Sequence, residues 1–407
     1  MKMKAKIRIS KKTIFYLILV AVLIINYNDD LSAVSVPGLG MGLNILIDAI
    51  FIIFSFPYWL KKTHSKVFSR WTLCLLAFWF ASIIWSSYSK ISFDTVYKSA
   101  VIYVVALCLS KSIENVDDIV RIIKYNFIAV IAYILYIVRF INFAQLGVVR
   151  IGADMKGLAD WNANDIGMMM GIGLATCIFY ILQKKKSILM YILAAGFGTI
   201  GLFSGSRKAV VLILGIIVLT LLLESKGQGR LRNIALILLL VIGFYILIMN
   251  NPKLYNILGH RVETLLRSIL GKGNSEDYSL TERSMMTAYG LTWFMNKPIL
   301  GSGFGSFAKF FGAVTGWEVY SHNNLIELLV SSGIVGTTIY YSIYVYIIIK
   351  LLRNAARSQD KLSIFLVSLT IILTVLQTSF IIYSSLPYLL ILMLAAVYAE
   401  ITQIKKL

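Results

Sequence analysis

The sequence predicts an all-α protein that crosses a membrane many times, and three observations carry that prediction. Of its 407 residues, 58% are hydrophobic and only 14% charged, whereas a soluble domain is about half apolar and about a quarter charged. The apolar residues gather into recurring runs of roughly 15–25 residues, close to the length a helix needs to cross a bilayer. The runs are parted by short polar stretches that hold most of the 39 Lys and Arg residues. A water-soluble fold cannot bury so many continuous apolar helices. A bilayer accommodates them because each helix satisfies its own backbone hydrogen bonds.

The formal net charge of +20 would suggest nucleic acid in a soluble protein, but its placement argues otherwise. Lys2, Lys4, Lys6, Arg8, Lys11 and Lys12 precede the first apolar run, and further basic clusters stand at Lys61-Lys62, Lys184-Lys185-Lys186 and Lys405-Lys406. This is the positive-inside bias that orients membrane helices, so the partner is the bilayer and no nucleic acid is expected. The first run could also be a signal peptide. No small-residue cleavage site follows Ile25, however, and the chain continues Asn26-Tyr27-Asn28-Asp29-Asp30, so it reads as a retained helix. Cys74, Cys108 and Cys177 lie inside apolar runs and imply neither a disulfide framework nor a metal set.

Taken in order, the apolar segments are 13–27, 39–60, 71–88, 94–110, 125–143, 163–182, 188–204, 208–224, 233–250, 323–349, 362–383 and 386–401. About twelve spans put both termini on one side. That side collects roughly 25 of the 39 basic residues and is therefore cytoplasmic. The chain reads as one membrane domain over 1–407, with a long extracytoplasmic loop at 251–322. A loop of that length points to function. It is predicted to hold an amphipathic helix from Leu280 to Asn296, capped by Thr281, with Met285, Met286, Tyr289, Trp293 and Phe294 as its apolar stripe. Such a helix could lie in the interface plane. A second loop on the same side, Phe143 to Asn162, carries Arg150, Asp154 and Lys156.

The polar chemistry concentrates on that outer face. His322, in Ser321-His322-Asn323-Asn324, stands at the start of a membrane helix, where exposed N–H groups disfavour the imidazolium. A neutral imidazole can serve as a general base; the alternative is a histidine that caps the helix. In Ser204-Gly205-Ser206-Arg207-Lys208, two adjacent cations run against the charge bias. They could snorkel to headgroups or form an anion site at a helix N-terminus, where an Arg fork matches phosphate. Arg283, with Arg261 or Arg150, could join Arg207 around one polyanionic group, or each could contact lipid phosphate. Gly303, in Gly301-Ser302-Gly303-Phe304-Gly305, belongs to a glycine turn near these residues. No strand precedes it, so a Rossmann reading fails. Asp29-Asp30 and Glu276-Asp277 are weak metal candidates, and no metal or other cofactor is expected. Asp48, with Asn44 one turn earlier, is an intramembrane carboxylate, either an ion relay or a group hydrogen-bonded inside the bundle.

Read in order, four stretches resemble the O-antigen ligase and Wzy-type polymerase superfamily of bacterial surface-polysaccharide assembly. They are Trp161-Asn162-Ala163-Asn164-Asp165-Ile166-Gly167, Ser204-Gly205-Ser206-Arg207-Lys208-Ala209, the run from Arg283 through Trp293, Pro298, Gly301, Gly303, Gly305 and Phe307, and His322-Asn323 through Gly333 and Gly336. Ser331 stands where the family often has Glu, and Glu327 is a candidate substitute. The resemblance implies a metal-independent GT-C-like glycosyltransferase of the bacterial cytoplasmic membrane that acts on undecaprenyl-pyrophosphate-linked oligosaccharides at the outer face. A polymerase extends another carrier-linked unit in O-antigen or capsule synthesis, whereas a ligase delivers the chain to the lipid A core of lipopolysaccharide. The resemblance also leaves room for a chain-length regulator protein as partner. It implies catalytic roles for His322, Arg207 and Arg283, and substrate contacts for Asn323, Lys208, Asn164, Arg150, Arg261 and Gly303. The rival from another class is a flippase or transporter of lipid-linked sugars. That rival calls for inverted repeats and broken helices, neither of which is visible in the sequence.

Overall fold

Each of the twelve apolar segments falls on a helix of the computed structural model, which describes residues 11–28, 34, 42–60, 64–152, 155, 161–183, 187–225, 228–269 and 278–404. We number the helices α1 (Lys11–Tyr27), α2 (Leu43–Trp59), α3 (Lys66–Ser82), α4 (Ser89–Lys111), α5 (Val116–Val138), α6 (Ala163–Leu182), α7 (Ile188–Phe203), α8 (Arg207–Glu224), α9 (Gln228–Asn250), α10 (His260–Ile269), α11 (Tyr278–Asn296), α12 (Phe307–Thr315), α13 (Asn324–Ser358), α14 (Lys361–Leu376) and α15 (Leu386–Ile404). No β-strand occurs among the described residues. By length and composition, α4, α5, α6, α9, α13 and α15 suffice to cross a membrane, and α1, α2, α7 and α14 are shorter apolar helices. Short polar side chains start several of them: Asn115 caps α5, Asn162 caps α6, Ser206 caps α8 and Asp360 caps α14, each accepting from a first-turn N–H.

α15 runs through the middle of the bundle. It is apolar on every side, as a fully enclosed helix should be, and almost every residue from Leu386 to Ile401 is buried. α3, α4, α13 and α14 pack around it. α9 is the opposite case: it leans chiefly on α8 and leaves Leu238, Leu239 and Ile242 exposed, the surface expected of a lipid-facing helix. At one end of the bundle Asp118 accepts from Tyr16 and pairs with Lys12 at 2.7 Å, and Lys361 pairs with Glu224.

The region 251–322 is more ordered than a plain loop. A single π-helical turn at Tyr255–Gly259 leads into α10. α11 begins at Tyr278, so Thr281 lies inside its first turn and does not serve as its N-cap. Met285 is 42% exposed and falls off the buried stripe; Met286, Tyr289, Trp293 and Phe294 pack with Phe307, Phe311, Ile326 and Val330. The apolar face of α11 is thus spent on α12 and α13.

The chain after α11 wedges into α13. Gly333 breaks that helix with φ 59 and ψ −165, and the loop pairs with the exposed backbone. Ser302 N and Gly303 N donate to the carbonyls of Val330 and Ser331, while Ile334 N and Val335 N donate to those of Pro298 and Ile299. A broken helix therefore exists, although no residue pattern announced it. The wedge requires glycine where it meets neighbouring chain. Gly303 has φ +101, and a Cβ there would stand 2.3 Å from the Ser86 side chain. Gly303→Ala is expected to lower the unfolding temperature of the purified protein, since a left-handed non-glycine alone costs of order 1–3 kcal/mol. Gly196→Ala, with open space at its Cβ, is expected to leave it unchanged or raise it.

Candidate active site

The turn between α7 and α8 is clamped from three directions. Arg150 Nε donates to the carbonyl of Ser204 at 3.1 Å, Arg261 Nη1 donates to that of Gly205 at 3.3 Å, and Ser206 Oγ donates to Asn164 Oδ1 at 3.0 Å. Three residues expected to touch substrate thus shape the turn that presents Arg207 and Lys208. Arg207 is half-exposed at the first position of α8. Lys208 is only 7% exposed, with its ammonium 4.5 Å from the centroid of the Phe380 ring, a cation–π contact.

The second component is the turn before α13. His322 adopts φ 54, a left-handed conformation uncommon outside glycine. Its neighbours are pinned: Ser321 N donates to the buried Glu327 carboxylate at 2.9 Å, and Ser321 Oγ donates to the Asn323 carbonyl at 2.7 Å. Asn323 Oδ1 accepts from Leu325 N and Ile326 N, so Asn323 caps the helix and His322 does not. Asn324, fully buried, ties this turn to the segment after α14. Its Nδ2 donates to Gln377 Oε1 at 2.8 Å, and its Oδ1 accepts from Ile382 N and Tyr383 N. Asn324→Leu would strand those two buried N–H groups at about 1–3 kcal/mol each. It is expected to lower the thermal stability of the purified protein more than Asn324→Asp, which keeps the acceptor.

The charges of both components converge. Arg283 of α11, Asp165 of α6 and Arg207 all act on Lys208. The His322 imidazole is pushed down to about 4, first by burial and then by the Arg283 and Lys208 cations, so it is neutral at ordinary pH. Burial, with the Asp165 carboxylate next, raises the Tyr320 phenol. Tyr320 lies against His322 with ring centroids 4.3 Å apart. Tyr320 and Phe380 also wall a cavity of about 390 Å³, lined as well by Asp165 and by Asn26 and Tyr27 of α1. Asn26 in turn donates to the buried Asp48 at 3.0 Å, so that carboxyl is hydrogen-bonded within the bundle.

Of the residues singled out in the sequence, His322, Arg207, Lys208 and Arg283 form one charge-coupled group. Gly303 belongs to the wedge against Ser86. Asp154, Lys156, Asp29, Asp30, Glu276 and Asp277 lie outside the described residues. Sequence reasoning gave no separate role to Asp165, Tyr320, Phe380 or Asn324. Asp165 carried a usable signal as a carboxylate in the first turn of an apolar helix.

Residues 189–341 match the family described as O-antigen ligase. That stretch holds the 204–209 turn, the run from Arg283 to Phe307 and the helix start at His322, in keeping with the resemblance to the ligase and polymerase superfamily. Arg150 and the 161–167 stretch precede it. No curated protein matches the chain.

Proposed function

We propose that the protein is a polymerase of lipid-linked oligosaccharide repeat units, of O-antigen or capsule type, at the outer face of the bacterial cytoplasmic membrane. In this reading it has twelve spans in a GT-C-like arrangement, with both termini cytoplasmic. The observation that carries the reading is the cluster in which Arg283 and Lys208 act on a neutral His322, and Arg207 on Lys208, with Tyr320 linking His322 to a cavity of sugar size. In the reaction, a hydroxyl oxygen of the acceptor's terminal sugar bonds to the donor's anomeric carbon. The bond from that carbon to the undecaprenyl pyrophosphate oxygen breaks, and the electron pair leaves with the diphosphate. The cations hold the diphosphate and stabilise the charge it gains, which supplies the electrostatic part of catalysis without a metal. His322 takes the hydroxyl proton.

The matching family's own description, O-antigen ligase, favours a second reading in which the acceptor is lipid A core. Deleting the gene and resolving surface polysaccharide on a gel separates the two. Single repeat units on the final acceptor are expected for a lost polymerase; long chains left on the carrier lipid would mark a lost ligase, and an unchanged pattern would refute both.

A further inference from the structure

We infer that the cavity beside His322 is the subsite for the acceptor's terminal sugars, an inference that rests on the transfer reaction proposed above. Its lining sorts the two halves of the substrates by chemistry. Tyr27, Tyr133, Tyr320 and Tyr388 give it aromatic walls, and Asp165 and Ser385 add oxygen atoms. Sugar rings present C–H faces that pack on aromatic rings and hydroxyls that donate to carboxylates, and the mixed aromatic and polar wall suits both. Among the described residues no Lys or Arg lines it. A diphosphate placed there would face the like charge of the Asp165 carboxylate, a costly arrangement in a low-dielectric site. Lys208 approaches the cavity through the Phe380 ring, and the neutral His322 approaches it through Tyr320.

Size and position agree with this assignment. About 390 Å³ lies at the small end of the roughly 300–1,000 Å³ typical of ligand pockets, enough for the last one or two rings of a glycan. Because Tyr320 both walls the cavity and lies against His322, a sugar packed on the Tyr320 ring brings a hydroxyl toward the imidazole.

The test fills the cavity from two sides of the chain, with Ile102→Trp on α4 and Ser385→Trp in the segment just before α15, both at lining positions. Each variant, purified into nanodiscs as a single monodisperse species, is assayed for transfer with the carrier-linked repeat unit and for binding of free undecaprenyl pyrophosphate. Ser385→Val replaces the larger substitution if that protein does not elute cleanly. Transfer is expected to fall by about 100-fold, as for a misplaced reactant, with carrier binding at the wild-type value. Wild-type transfer in the filled variants would overturn the assignment and leave the proposed function standing. Lost carrier binding in both would overturn it too and give the cavity to the polyprenyl chain. Wild-type protein that binds no undecaprenyl pyrophosphate would overturn the proposed function itself, and this assignment with it.

Discussion

Arg207→Ala is expected to slow glycan transfer by roughly 100- to 1,000-fold, the loss seen when one preorganised group facing a developing anion is removed. The expectation follows from how Arg207 is held. Its turn is fixed by Arg150, Arg261 and Asn164 through hydrogen bonds to the Ser204–Ser206 segment, so the backbone that carries it is held in place. Arg207→Lys retains the charge but loses the two-pronged fork that matches phosphate oxygens, and it is expected to recover only part of the rate. The measurement is single-turnover transfer from a carrier-linked repeat unit at saturating donor. Full activity in the lysine variant would leave Arg207 as a simple charge or a lipid anchor.

His322→Ala is expected to abolish chain extension while the protein still inserts and purifies normally, and the wild-type pH profile should carry a matching signature. In the donor-free protein the imidazole protonates only near pH 4, because burial and the Arg283 and Lys208 cations oppose its charge. A bound diphosphate offsets those cations and moves the imidazole back toward the ordinary value of about 6.5. The ring must be neutral to accept a proton, so activity is lost as pH falls through its pKa. The acid limb of kcat/KM, which reports the free protein, is therefore expected near pH 4, and that of kcat, which reports the loaded protein, at higher pH. Coincident limbs would show that the donor does not neutralise Arg283 and Lys208. Long-chain product from His322→Ala would remove the base role altogether.

The helices were legible because hydropathy is a local property: a run such as 163–182 declares itself without reference to the rest of the chain. The break in α13 was not, because Gly333 departs from the helix only where Pro298 to Gly303 supply alternative hydrogen-bond partners. The apolar stripe of α11 is one residue narrower than the sequence suggests, without Met285, since a helix face is decided by what packs on it. At the site, Arg207 and His322 stood out as rare polar groups beside apolar runs. Arg150, Arg261 and Asn164 stood out for the same reason, but their hydrogen bonds to the turn follow from the fold and not from their charge or polarity. Tyr320 and Phe380 were hidden among 23 Tyr and 22 Phe; only the fold brings them to the rim.

The bonds from Asn324 to Gln377, Ile382 and Tyr383 also order events in time. Membrane helices are made and inserted from the N-terminal end, so every element carrying the cations exists before the segment that anchors the histidine turn. Until the ribosome has delivered the stretch beyond α14, Asn324 has none of these three partners, and the turn it steadies has no fixed position. The nascent protein thus holds its cationic residues early and fixes the turn before α13 only once the segment beyond α14 is in place.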